Sequence, residues 1–351
     1  MKKILILFIF IFSFSLGFNN IVFAENDYVI LGGDSIGLKF STGVIVSGKY
    51  KVETSDGIIS PWKDSDINVG DKIVEIDNYN ITNTTNFLKY LKLIKDEDCI
   101  LTIERNDNIF DTNIKLVQTK NSEKSLGLYI KDSILGVGTL TYVDPVDLTF
   151  ASLGHGINDK FIKEDLINGC VLNSNVQNIK KGAPGAPGEK RASVGNVPIG
   201  TIKLNSITGV YGKLENINVY KTRKKISLAT NSEIKIGPAK IYTVIHDNII
   251  KAYDVYIVSL DNQNKTDIKG IKIKVTDKEL IEETGGIIQG MSGSPIVQNN
   301  KLVGAISHVT VDNPLIGYGV YVTWMEIDRQ KALWWFSTKC NKWWHTLIQN
   351  S

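Results

Sequence analysis

From about residue 127 to residue 325, Ile, Val, Thr and Tyr alternate with polar residues in short runs. Gly, Asn, Asp or Pro breaks the pattern every few positions. A period of two puts successive side chains on opposite faces of an extended chain, so each run reads as a half-buried strand. Strands this short bury nothing alone, and a long series of them closes into barrels or packed sheets. The expectation is a mainly β protein whose larger part is a β-barrel or a pair of barrels. Helical spacing is rare. The clear case is Thr84–Ile94, with Phe87, Leu88, Leu91 and Ile94 three or four residues apart, and a second candidate starts near Glu326. No internal repeat of fixed period is visible.

The N-terminus reads as an export signal. Lys2 and Lys3 precede the apolar run Ile4–Phe18, and Ala24 offers a small residue for cleavage, so residues 1–26 are expected to be a signal peptide or membrane anchor. Residues 27–118 read as one α+β unit, 119–126 as a polar linker, 127–325 as the main β domain and 326–351 as a Trp-rich tail. The 27–118 unit resembles a PDZ domain in the permuted order of bacterial proteases, carried by "GGDSIGLKF" and "INVGDKIVEIDNYNI". On that resemblance Gly32, Gly33, Asp34, Ser35, Ile36 and Gly37 would form a peptide-binding loop, and a ligand peptide would add as a further strand. In the tail, Trp334, Trp335, Trp343 and Trp344 lie close to Lys331, Lys339 and Lys342. A helix on the barrel and a membrane-surface contact both suit that composition.

Composition narrows the classes of function. The net charge of +3 falls by two without Lys2 and Lys3, and no basic stripe interleaves with aromatics, so nucleic acid is not an expected partner. Cys99, Cys170 and Cys340 are far apart and form no CxxC or Cys/His pattern, so neither a disulfide framework nor a metal site is expected, and no cofactor is implied.

The chemistry centres on "GMSGSP", Gly290–Pro295. A serine hydroxyl is a weak nucleophile until a base takes its proton, and the developing oxyanion needs fixed N–H donors. Glycines around a serine let backbone N–H groups converge on one point. Ser292 is the candidate nucleophile, with the N–H groups of Gly290 and Ser292 as the oxyanion hole; Ser294 reads as structural. Of the four histidines, His155 in "ASLGHGIND" stands on a Gly-rich turn and is the first candidate base, with His308 in "GAISHVTV" second. His246 and His345 read as surface and tail residues. For the acid, Asp277 ends a strand fifteen residues before Ser292, in competition with Asp247, Asp254 and Asp312; "TDKEL" also suits a helix cap.

Several long motifs in order, "GLYIKDSILGVGTLTYVDP", "LGHGI", "TGGIIQGMSGSPIVQNNKLVGAISHV" and "GYGVYVTWM", resemble the stage IV sporulation protein B peptidases. The resemblance implies a PDZ unit followed by a chymotrypsin-like double β-barrel, and a triad of His155, Asp277 and Ser292. It implies a serine endopeptidase exported into the space between forespore and mother-cell membranes. There it would cut a membrane-associated regulatory protein, and itself near the N-terminus, to trigger activation of a late sigma factor. The rival readings are a catalytically silent PDZ-type binding module and a β-rich structural protein of the spore envelope.

Overall fold

The computed structural model describes residues 28–159, 168–218 and 220–334. Two strands open the chain, β1 (Val29–Leu31) and the long β2 (Ser35–Lys49). A small unit follows with β3 (Lys72–Ile76), α1 (Thr84–Leu93), β4 (Asp98–Arg105) and β5 (Asn108–Lys115). Then come β6 (Leu128–Val143), β7 (Thr149–Ser152), β8 (Gly169–Lys180), β9 (Glu189–Ser206) and β10 (Gly209–Leu214). The last third holds β11 (Lys225–Leu228), β12 (Gly237–Val244), β13 (Ile250–Leu260), β14 (Ile271–Val275), α2 (Lys278–Thr284), β15 (Pro295–Gln298), β16 (Lys301–Val309) and β17 (Ile316–Tyr321).

Pairing closes two antiparallel rings. The first runs β2–β6–β7–β10–β9–β8 and back to β2. The second runs β12–β13–β14–β17–β16–β15 and back to β12. Numbered by chain order within each ring, both have the cyclic order one-two-three-six-five-four. The molecule is therefore a duplicated six-stranded barrel. Closure removes the open edges that short antiparallel strands would otherwise expose.

Each barrel has its own core. Ile36, Leu38, Phe40, Phe150, Val171, Ile202 and Val210 fill the first; Ile241, Tyr253, Ile257, Ile273, Ile296 and Ile306 fill the second. A third cluster joins the two barrels, with Leu31, Tyr142, Tyr211, Leu302, Val320 and Met325 in contact. β1 and β11 stitch the same seam, since β1 pairs with both β6 and β11, and β11 runs parallel to β16.

Two expectations about organisation are corrected here. The small unit is an insertion within the first barrel, not a domain that precedes it. β2 starts as a barrel strand and then crosses into the insert, where Val44 and Ile45 pair with β3. Its own core forms around Ile73, Phe87, Leu91, Leu101 and Ile114, and α1 is capped by Asn83, whose side chain accepts from the Asn86 N–H. Gly32–Gly37 is not a peptide-binding loop. Gly32 N–H donates to the Thr141 carbonyl and Gly33 N–H to that of Leu140; Asp34 pairs with Arg223; Ser35, Ile36 and Gly37 lie in an interior strand, where Ile36 and Gly37 pair with β8 as well as β6. Backbone groups already committed to a sheet cannot capture a carboxylate.

The boundary expected at residue 325 also falls inside an element, because residues 322–334 are helical. Glu326, Asp328 and Arg329 of this helix are buried, and Tyr142 Oη donates to Glu326. The segment docks on the seam as part of the body. The leader and Trp335, Trp343, Trp344 and His345 lie outside the described residues. Among the described residues, no helix is long and apolar enough to cross a membrane.

Candidate active site

Residues 290–293 form a tight turn that only glycine can close at two corners. Gly290 has φ +91° and Gly293 has φ +92°, both in the left-handed region. A Cβ on Gly293 would lie 2.1 Å from the Thr139 carbonyl oxygen and 2.4 Å from the Leu153 nitrogen. The turn is pressed between β6, the end of β7 and β16, where the barrels meet.

Two threonines of β6 hold it there. Thr139 N–H donates to the Ser292 carbonyl (2.9 Å), Thr139 Oγ1 to that of Gly290 (2.8 Å), and Thr141 Oγ1 to that of Gly293 (2.8 Å). From the other side, Lys190 N–H donates to the Gln289 carbonyl, and Ser294 N–H to that of Met291. In a trans peptide the N–H points opposite to the C=O. Fixing the carbonyls of Gln289 and Met291 therefore turns the N–H groups of Gly290 and Ser292 the other way. Neither donates to any acceptor among the described residues. Two unpaired, fixed N–H groups astride a serine are what an oxyanion hole requires.

The histidine arrives on a strained corner. Leu153 and Gly154 both have φ +68°, and Leu153 N–H donates to the Thr139 carbonyl. A left-handed leucine costs roughly 1–3 kcal/mol. Burial of its side chain offsets this: Leu153 packs where a Cβ on Gly138 would come within 1.9 Å of it. Thr139 thus touches both the Ser292 turn and the His155 corner. His155 Nδ1–H donates to the Gly156 carbonyl (2.8 Å), which leaves the Nε2 lone pair as the free basic site. Asn205 clamps the next residue, accepting from Ile157 N–H and donating to its carbonyl.

His308 lies against this corner, its ring centroid 5.3 Å from that of His155. Its pKa is lowered, chiefly by burial, then by His155 and Lys269. Ser292 Oγ donates to the Ser307 carbonyl at 3.3 Å. Ser294 is fully buried, its hydroxyl enclosed without a partner, and cannot meet a substrate. His246 is a surface residue paired with Glu283.

Asp277 is not brought to His155. It is the N-cap of α2: one carboxylate oxygen accepts from Leu280 N–H (3.0 Å) and the other from Asp254 N–H (3.1 Å). The physical reason lies in "TDKEL", where a carboxylate just before a helical turn satisfies orphan N–H donors of its own backbone. The Gly156 carbonyl, not a carboxylate, fixes the His155 tautomer in this structure.

Sequence reading alone missed four residues: Thr139, Thr141, Asn205 and Lys190. The first two carried a signal, hydroxyls two apart on the same face of a strand that otherwise reads as core. Lys190 carried none. Its 3% exposure is set by the β8–β9 hairpin, which lays Gly188–Lys190 beside Gln289. Lys190 Nζ donates to Thr243 Oγ1 (2.7 Å), and burial pulls its pKa down to about 7. A pocket of about 410 Å³ opens beside Gly290, lined by Val137, Lys190, Arg191 and Gln289 among others.

A duplicated barrel with a glycine-bounded serine turn and a histidine corner at the seam defines a double-barrel serine peptidase of the chymotrypsin-like class. Residues 122–326, more than half of the chain, match the family model described as SpoIVB peptidase S55, and the chain belongs to that family. No curated protein matches it. Among solved structures, the active form of the Rv3671c protease from M. tuberculosis matches with 13% identity over 54% of this chain and 70% of that one, TM-score 0.32. The inactive form gives 13%, 53%, 79% and 0.30. A likeness at those scores carries no argument, and the fold rests on the strand connectivity.

Proposed function

We propose that this serine peptidase is an endopeptidase whose nucleophile is Ser292 and whose general base is His155. The observation that carries the reading is the meeting of the Ser292 turn, with its two unpaired N–H groups, and the His155 corner on Thr139. Ser292 Oγ leaves the Ser307 carbonyl by rotating about χ1 and attacks a peptide carbonyl carbon. Its proton passes to His155 Nε2, and the carbonyl oxygen gains negative charge in the hole formed by Gly290 and Ser292 N–H. The C–N bond breaks as His155 protonates the leaving amine. Water, deprotonated by His155, then releases the acyl group.

The finer reading follows the family. The substrate is a membrane-associated regulatory protein, cut on the far side of a membrane during sporulation, and the enzyme processes its own N-terminal segment. The inserted unit positions substrate or regulator without the Gly32–Gly37 loop once expected to do so. Reaction of the full chain with a fluorophosphonate probe tests the catalytic assignment. Labelling should disappear in Ser292→Ala and His155→Ala and persist in Ser294→Ala. A folded wild-type protein that never labels, or a Ser292→Ala variant that does, would sink it.

A further inference from the structure

The His155 and His308 rings meet at a spacing that a shared metal ion would also give. The rings are tilted by 49° with centroids 5.3 Å apart. A zinc–imidazole bond is about 2.1 Å and the ring centroid lies about 1.1 Å behind the nitrogen. Two imidazoles on one tetrahedral metal therefore have centroids about 5.2 Å apart. The His308 Nδ1 atom is buried and has no hydrogen-bond partner. His155 Nδ1–H already donates to a backbone carbonyl, the outer contact that aims the opposite nitrogen of a ligating histidine at its metal.

We propose that His155 and His308 together bind a divalent transition-metal cation such as Zn²⁺, and that the bound metal reversibly blocks the peptidase. The block follows because the lone pair that would take the serine proton is the one donated to the metal. This last step rests on the reading of His155 as the base. Among the described residues no third His, Cys, Asp or Glu joins the pair, so water completes the coordination.

Calorimetric titration of ZnCl₂ into the chelator-stripped full chain tests the site without reference to activity. The wild type and Ser292→Ala should bind one Zn²⁺, and His308→Phe and His308→Gln should bind at least tenfold more weakly. Fluorophosphonate labelling of the wild type should slow at least tenfold at saturating zinc and recover with chelator, while His308→Phe labels at a rate indifferent to zinc. No binding by the wild type, or unchanged affinity in both folded His308 variants, would overturn the proposal. Histidine-dependent zinc binding by a protein that never labels would support the metal site and sink the nucleophile reading instead.

Discussion

Thr139 is the residue on which the site most depends without touching the chemistry. It has 0% exposure, its N–H holds the Ser292 carbonyl and its hydroxyl holds that of Gly290. Thr139→Val keeps the shape and the backbone bond but removes the hydroxyl, leaving the Gly290 carbonyl buried and unpaired. Such a loss costs about 1–3 kcal/mol. If the turn relaxes to recover it, Gly290 N–H leaves the oxyanion position, and the same energy appears in the barrier. At 1.36 kcal/mol per factor of ten, that is about a 5- to 150-fold loss of rate. The second-order rate of fluorophosphonate labelling reports this without a known substrate, and urea denaturation reports the stability. Thr139→Ser should restore most of both, because the hydroxyl returns. A Thr139→Val protein that labels at the wild-type rate would refute the argument, whatever its stability, since the hydroxyl would then support the fold and not the hole.

Two further predictions concern buried charge and capping. Lys190 titrates near 7 when folded and near 10.5 when unfolded, so between those values the unfolded chain binds more protons and stability rises with pH. From pH 7 to 9.5 the wild type should gain up to about 3 kcal/mol in chemical denaturation, and Lys190→Met should lose that dependence and be more stable at pH 7. Asp277→Ala should lower stability by about 0.5–2 kcal/mol and Asp277→Asn should restore it, as expected of a helix cap. A roughly 10⁴-fold loss of activity in a stable Asp277→Asn protein would show instead that the carboxylate reaches His155 in the working enzyme.

The β class, the α1 helix, the serine turn and the histidine corner were all legible in the sequence, because each rests on local chemistry. Period-two alternation commits a run to a strand whatever lies beside it. Gly290 and Gly293 stand where the backbone needs positive φ, and the glycines around His155 mark a corner. Pairing was not legible. Six strands of each barrel close in the same cyclic order, yet no repeat shows in the residues, since packing constrains which face is apolar and not which residue supplies it. For the same reason "GGDSIGLKF" read as a loop and proved to be interior strand: the partners that consume its N–H groups lie about a hundred residues away. Asp277 shows the converse. Its spacing from Ser292 suggested an acid, but its nearest donors are the N–H groups of its own helix and of Asp254, and the tertiary structure gave the carboxylate to them. The sequence by itself determined which groups could do chemistry here. Only the folded barrels decided that Thr139 would grip both the nucleophile turn and the histidine corner, because its contact with Gly290 joins positions 151 residues apart.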